Sequence, residues 1–164
     1  MQAQAQININ ASADRLWEIL VDDFDQISKW TAAVYTSGPN PDLPVGDGRV
    51  CETTIGNNVE EMTHRDQQNG TFTYHVIPEK APFFLNGIDH TWTIKPTGEN
   101  MSQVGMDATV HLGPVANILM GPFMKRRMLS GFASILEELK YYAETNQIHP
   151  GKKEQIEARK LQSN

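Results

Sequence analysis

The chain has 164 residues, with 14 Lys plus Arg against 20 Asp plus Glu, a formal charge of −6 and a pI near 5.3. That length suits one domain large enough to bury most of its unfolded surface without staples. The acidic balance argues against a nucleic-acid-binding domain, and no run approaches the ~20 apolar residues of a membrane span. Met1-Gln2-Ala3-Gln4-Ala5-Gln6 has neither the basic nor the apolar region of a secretory signal, and the lone Cys51 excludes an internal disulfide and a Cys-rich zinc site. A soluble, cytoplasmic single domain is the expectation.

Gln4 to Asn10 alternates, with Ile7 and Ile9 on one face, and reads as a strand. Ser12 is placed to N-cap the next element, and Asp14 suits its first turn. Leu16, Trp17, Ile19 and Leu20 form a helical stripe, and Phe24, Ile27 and Trp30 continue at spacings of three as a second short helix. Asp22, Asp23 and Asp25 are read as a solvated helix junction rather than a metal site. Val34 to Thr36 is a short strand, followed by a proline-rich loop at Gly38 to Pro44. Further strands are expected near 48–55, 59–66, 71–78, 88–95 and 103–112, as an antiparallel meander.

From Ala116 to Glu144 the period becomes helical. Leu129, Phe132, Ile135, Leu136, Leu139, Tyr142 and Ala143 give one wide apolar face, and Gly121-Pro122 should kink or restart the helix. The expected architecture is α+β. It has a curved antiparallel sheet of six to seven strands, two short helices after strand 1, and a long C-terminal helix across the sheet, in the order β-α-α-β(5-6)-α. Such a crossing tends to leave a cavity between sheet and helix. The domain is taken as 1–146. Residues 147–164 read as a polar C-terminal tail in which Gly151 to Asn164 carry +2, leaving −8 on the rest. The tail is expected to be solvated, frayed or transiently helical, with a docking segment as the alternative.

Turn positions predict the pairing. Two-residue turns at Asn57-Asn58 and Asn69-Gly70 set Cys51 opposite His64 and His64 opposite His75. One face then carries Val50, Glu61, Arg65, Phe72, Tyr74 and Val76, and the other Cys51, Thr53, Met62, His64, His75 and Ile77. The first face holds the larger aromatics and is taken as inward, with Glu61 and Arg65 in or beside the cavity. They are expected to pair with each other near the rim or with a ligand's polar group. The Cys51-His64-His75 row is read as part of an outer face rather than as a metal site. In the last hairpin, matching apolar faces sets Ile94 opposite Val104 and His90 opposite Ala108, with a three-residue loop Gly98-Glu99-Asn100. A slip pairing His90 with Asp107 would make a base–orienter dyad, but it would turn an apolar row outward. His90 is then either a hydrogen-bonded core histidine or a polar group of the cavity.

Met120, Met124 and Met128 recur every four residues, as ordinary packing or as an adaptable pocket lining. Lys125-Arg126-Arg127 beside them forms a solvated face, or else attracts an anionic ligand head or a lipid surface. There is no G-x-S-x-G, H-E-x-x-H, P-loop or G-x-G-x-x-G, so no hydrolase, NTPase or dehydrogenase signature stands out, and neither cofactor nor metal is expected.

Three segments carry a resemblance. The first is Ala11 to Leu20 running on to Phe24, Ile27, Lys29 and Trp30. The second is Val45-Gly46-Asp47-Gly48-Arg49 with Val59-Glu60-Glu61-Met62 and Tyr74. The third is the long closing helix. In this order they resemble the START/SRPBCC helix-grip superfamily, most closely its polyketide cyclase/dehydrase and lipid-transport branch, over about residues 4–145. The resemblance implies a helix-grip fold that holds an apolar small molecule between sheet and long helix. It also implies cavity roles for Arg49 or Arg65 with Tyr74, Trp92 and Trp30, although Cys51 stands where some cyclases carry an arginine.

The leading expectation is therefore binding or transport of a hydrophobic small molecule (lipid, quinone or polyketide-like). The contact set is Trp30, Arg49, Glu61, Arg65, Tyr74, His90, Trp92, Met120, Met124 and Met128. The alternative is a cyclase or dehydratase with Glu61 or His90 as base and Arg65 and Tyr74 as donors. A further alternative is a non-catalytic interaction module. The oligomeric state is left as monomer or homodimer.

Overall fold

The computed structural model describes residues 1–162. Strand β1 (Gln2–Ile9) leads to helix α1 (Ala13–Trp17), a π-helical turn (Glu18–Asp22) and a 3-10 turn (Phe24–Lys29). Strands β2 (Val34–Pro39), β3 (Gly48–Thr53), β4 (Gly56–Asp66), β5 (Thr71–Pro78), β6 (Leu85–Gly98) and β7 (Met101–Leu112) follow, then α2 (Pro114–Thr145) and α3 (Pro150–Gln162). The seven strands form one antiparallel sheet in the order β1-β7-β6-β5-β4-β3-β2. This is the expected α+β helix-grip architecture.

Local signals place the elements. The Ser12 side chain accepts the Arg15 N–H and caps α1 as read from the sequence. Alternation along β7 buries Ser102, Val104, Met106, Ala108 and Val110, and β6 adds Trp92 and Ile94 to the same face. The β6–β7 register is the one that apolar matching predicts, with Ile94 opposite Val104 and His90 opposite Ala108. The loop is shorter by one residue, because Gly98 pairs with Met101 after an irregularity at Pro96. Phe132, Leu136, Leu139 and Ala143 recur at helical spacing and are buried where α2 packs on β1. Full burial of a side chain such as Phe72 or Leu136 stabilises the fold by ~1.5–3 kcal/mol.

Two expected turns fall elsewhere. The β3–β4 turn is Thr54-Ile55, because Thr53 pairs with Gly56, whose φ of +122 suits glycine, and Asn57 and Asn58 enter the strand. The β4–β5 turn takes four residues, Gln67–Gly70, since Asp66 pairs with Thr71 and its carboxylate accepts from the Asn69 backbone and side chain. Cys51 therefore faces Asn58, and a bulge between Met62 and His64 shifts the β4–β5 register by one, so that Glu61 faces His75 while Arg65 faces Phe72. The inward assignment holds on β5, where Phe72, Tyr74 and Val76 are buried, and inverts on β3 and on β4 before the bulge. There Arg49, Cys51 and Glu60 point in, while Val50 is exposed and Glu61 only half-buried. The Cys51-His64-His75 row does not form, and among the described residues no group of three side chains could hold a metal.

The tail also departs from a solvated extension. Asn146, in the left-handed region at φ 54, caps α2 by donating to the Tyr142 carbonyl, and α3 then runs back over β2. Lys152 is 2% exposed and donates to the Val34 carbonyl at 2.7 Å. Arg159 reaches both Glu52 oxygens and lies over the Tyr35 ring. Glu138 of α2 accepts from Thr31 Oγ1 and the Ala32 N–H, which ties the segment before β2 to the long helix.

Candidate functional site

The π-helical and 3-10 turns pack onto the concave side of β3, β5 and β6. Pairing of β3 with β4 sets Arg49 opposite Glu60, at 3% and 6% exposure. Arg49 Nε donates to Glu60 Oε2 at 2.7 Å, Nη2 reaches the same oxygen, and Nη1 donates to the Phe24 carbonyl at 2.6 Å. The guanidinium lies 3.9 Å from the centre of the Phe24 ring and 5.1 Å from that of Tyr74. A buried charge requires such partners. Burial alone would lower the Arg49 pKa, but the Glu60 carboxylate together with the neighbouring Tyr74 and Cys51 raises it, and the guanidinium is held more firmly charged than usual.

The groups around this pair are neutral. Burial, reinforced by Glu60, pushes the Cys51 thiol up to about 12, so it offers no thiolate. The Tyr74 phenol is pushed up for the same two reasons and accepts the Trp92 Nε1–H at 3.4 Å. His90 stacks on Tyr74 at 5.3 Å between centroids and meets Phe132 of α2 edge-on at 5.7 Å. Burial and then the Arg49 charge lower its pKa to about 4, which keeps the imidazole neutral. Two enclosed polar atoms of this region, Trp30 Nε1 and His90 Nδ1, have no partner.

These side chains surround a cavity of about 10 Å³, room for about one water molecule. Ile19, Leu20, Phe24, Ile27 and Trp30 form one wall and Arg49, Phe72, Tyr74 and Trp92 the other. The space lies between the helical turns and the sheet rather than beneath α2, and aromatic rings fill most of what the curvature leaves. A larger hollow of about 170 Å³, between α1 and the Gln67–Gly70 turn, is lined by none of the sequence-predicted site residues.

Of those residues, the structure brings Trp30, Arg49, Tyr74 and Trp92 to the cavity, with His90 stacked behind Tyr74. Arg65 is exposed and pairs with Asp47 at 3.2 Å and with the Gly46 carbonyl, away from the cavity. Glu61 is half-buried on the outer face, because a bulge between Met62 and His64 gives the inward position to Glu60. Met120 is exposed, Met124 is half-buried, and Met128 packs against the core from outside the cavity. Sequence reasoning missed Glu60. The signal was present in Val59-Glu60-Glu61, but choosing between adjacent carboxylates needs the bulge between Met62 and His64. It also missed the outer-face bridge in which Asp89 contacts His75 Nδ1 and His111 Nε2, each at 2.6 Å.

A buried arginine held by a carboxylate, beside aromatic walls and an unpaired indole N–H, can orient an oxygen-bearing apolar molecule. It supplies no strong base. The solved structures most like this one include a START superfamily protein from Mycobacterium smegmatis, 14% identical, covering 89% of this chain and 99% of that one with a TM-score of 0.69. XoxI from Bacillus cereus is 18% identical, with coverage of 90% and 99% and a TM-score of 0.68. The di-domain ARO/CYC BexL of the BE-7585A biosynthetic pathway is 15% identical with a TM-score of 0.68, over 86% of this chain and 45% of that one. At these identities the likeness speaks for the fold alone. A search of curated protein sequences returns no match. The model of one family, described as polyketide cyclase / dehydrase and lipid transport, matches residues 1–144. On that match, joined to the helix-grip fold, the chain belongs to the polyketide cyclase/dehydrase and lipid transport family.

Proposed function

We propose that the chain binds and carries a hydrophobic small molecule of the lipid, quinone or polyketide-like kind in the space between its helical turns and sheet. The observation that carries this reading is the Trp30 indole N–H, enclosed and unpartnered at a cavity walled by Phe24, Phe72, Tyr74 and Trp92 and bordered by one guanidinium. Leaving such a donor buried without an acceptor is costly, and a ligand carbonyl or hydroxyl would relieve it. Apolar walls supply affinity and the few polar groups fix orientation. Family membership supports the same reading. A space of about 10 Å³ means that the ligand enters by displacing the turns between Glu18 and Lys29 or the facing part of α2.

The cyclase or dehydratase alternative has weaker support. Glu61 lies on the outer side of β4, Arg65 is exposed and paired with Asp47, and His90, with a pKa of about 4, is a weak proton acceptor. The test is a fluorescence and thermal-shift titration of the full chain with oleate, a short-chain ubiquinone and an anthraquinone. Saturable binding of at least one probe, weakened about tenfold in Trp30→Phe, is the expected result. Absence of binding by all three, or binding indifferent to Trp30→Phe and Tyr74→Phe, overturns the proposal.

A further inference from the structure

A helix lying on a protein surface normally turns its polar face outward. The first half of α2 turns apolar side chains outward as well. Val115, Ile118, Leu119 and Phe123 recur at spacings of three and four, and Ile118 is 75% and Phe123 68% exposed. On the other side of the same turns Gly121 is buried and Met124 and Met128 are half-buried, so the outward stripe is apolar by arrangement. Phe83, 98% exposed in the β5–β6 loop, belongs to the same end of the molecule, because the Gly113 N–H just before α2 donates to the Phe84 carbonyl at 3.1 Å. Several large apolar side chains clustered this way mark a surface that meets something other than water.

The charge beside the stripe says what that is. Arg126, three residues beyond Phe123, ends the apolar row, and Lys125 and Arg127 flank it. All three cations are exposed, and none has an ion pair among the described residues. No Asp or Glu occurs between Gly113 and Leu136, in a chain whose net charge is −6. Acidic residues have been kept out of this one segment. An apolar stripe edged by Lys and Arg on a helix is the pattern of a segment that lies in the plane of a membrane interface, its apolar side chains among the acyl chains and its cations at anionic headgroups. A second copy of the chain fits less well, since a twofold contact would press three unpaired cations against three others with no carboxylate nearby.

We propose that the N-terminal half of α2, with Phe83, docks the protein onto an anionic phospholipid bilayer. The docking is reversible, because the stripe is short and the charge attraction is screened by salt. The inference stands whether or not the interior cavity takes a ligand.

The test is flotation of the full chain with vesicles of phosphatidylcholine alone and of phosphatidylcholine with phosphatidylserine, at low and high salt. Binding to the mixed vesicles, loss on raising salt and little binding to phosphatidylcholine alone are expected. Each cation removed should weaken binding about fivefold, and Lys125→Glu/Arg126→Glu/Arg127→Glu on the order of a hundredfold or more. Ile118→Ser/Phe123→Ser should also release the protein, while Lys95→Glu, on an exposed β6 position, should leave binding unchanged. All substituted positions are exposed, and circular dichroism checks that the variants remain folded. No flotation with the anionic vesicles at low salt overturns the proposal. So does flotation that survives the triple charge reversal. A concentration-dependent dimer, dispersed by Ile118→Ser/Phe123→Ser in a protein that does not float, also overturns it and assigns the face to a second copy.

Discussion

Arg49 and Glu60 sit directly opposite each other on β3 and β4, both buried, with Arg49 Nε 2.7 Å from Glu60 Oε2. The pair fixes a positive charge among aromatic rings and spends the Glu60 carboxylate on holding it there. The consequence is an interior with a strong hydrogen-bond donor and no free base, which is why binding rather than proton abstraction is the better-supported reading.

Breaking the pair from one side should be severe. Glu60→Leu leaves an unpaired guanidinium in the core and should cost about 3–5 kcal/mol, lowering Tm by roughly 10 °C. Arg49→Met/Glu60→Leu together should recover most of that loss. Urea denaturation of the single and double variants reads the difference. Equal destabilisation in the two would mean that Arg49 is held by its carbonyl and ring contacts and not by Glu60.

His90 makes stability depend on pH in a defined window. Its folded pKa is about 4 against an ordinary 6.5. At pH 7 the ring is neutral in both states. As pH falls below 6.5 the unfolded chain takes up a proton that the folded chain refuses until about 4, so stability should drop across that interval by about 1–3 kcal/mol. Denaturation midpoints measured from pH 7 to 4 should show the decline in the wild type and a flatter profile in His90→Phe.

Gly87 has φ +131, and a Cβ placed there would lie 2.5 Å from the His75 ring. Gly87→Ala should therefore cost about 1–3 kcal/mol through strain and displacement of His75 from Asp89. Gly38→Ala, with nothing within 4 Å, should cost well under 1 kcal/mol. Thermal unfolding of the two variants side by side checks the contrast.

Helix α3 is part of the fold's edge, so truncation after Asn146 should lower Tm and raise amide exchange at β2. The truncation removes the buried Lys152 contact to Val34 and the Arg159 contact to Glu52. Lys152→Ala should reproduce much of the effect in the full chain, by about 1–2 kcal/mol. Unchanged exchange at Val34 and Tyr35 in the truncated protein would contradict this account.

Much of this was legible in the residues. The capping Ser12, the helical spacing from Leu16 to Trp30, the β6–β7 register and the buried face of α2 all follow from local pattern. Where the reading failed, the cause was also local. Turns were placed at Asn57-Asn58 and Asn69-Gly70 by asparagine preference, but Gly56 supplies the positive φ and Asp66 organises a longer turn. Both displacements are even in register and keep the faces; the one-residue bulge between Met62 and His64 is what exchanged Glu60 for Glu61 and buried Cys51 instead of Val50. Other features have no local signal at all. Lys152 meets Val34 across 118 positions, and whether the space under the sheet is open depends on how Phe24, Phe72 and Trp92 pack together.

The central claim is that the interior accepts an apolar ligand. Native mass spectrometry of the full chain as purified from cells, followed by denatured extraction, tests it most directly. The account predicts a population carrying one extra non-covalent mass, extracted as an apolar molecule with at least one oxygen and depleted in Trp30→Phe. A uniformly unliganded protein that also takes up no added oleate, ubiquinone or anthraquinone would contradict it, and would make the packed interior of Phe24, Phe72, Tyr74 and Trp92 a plain core.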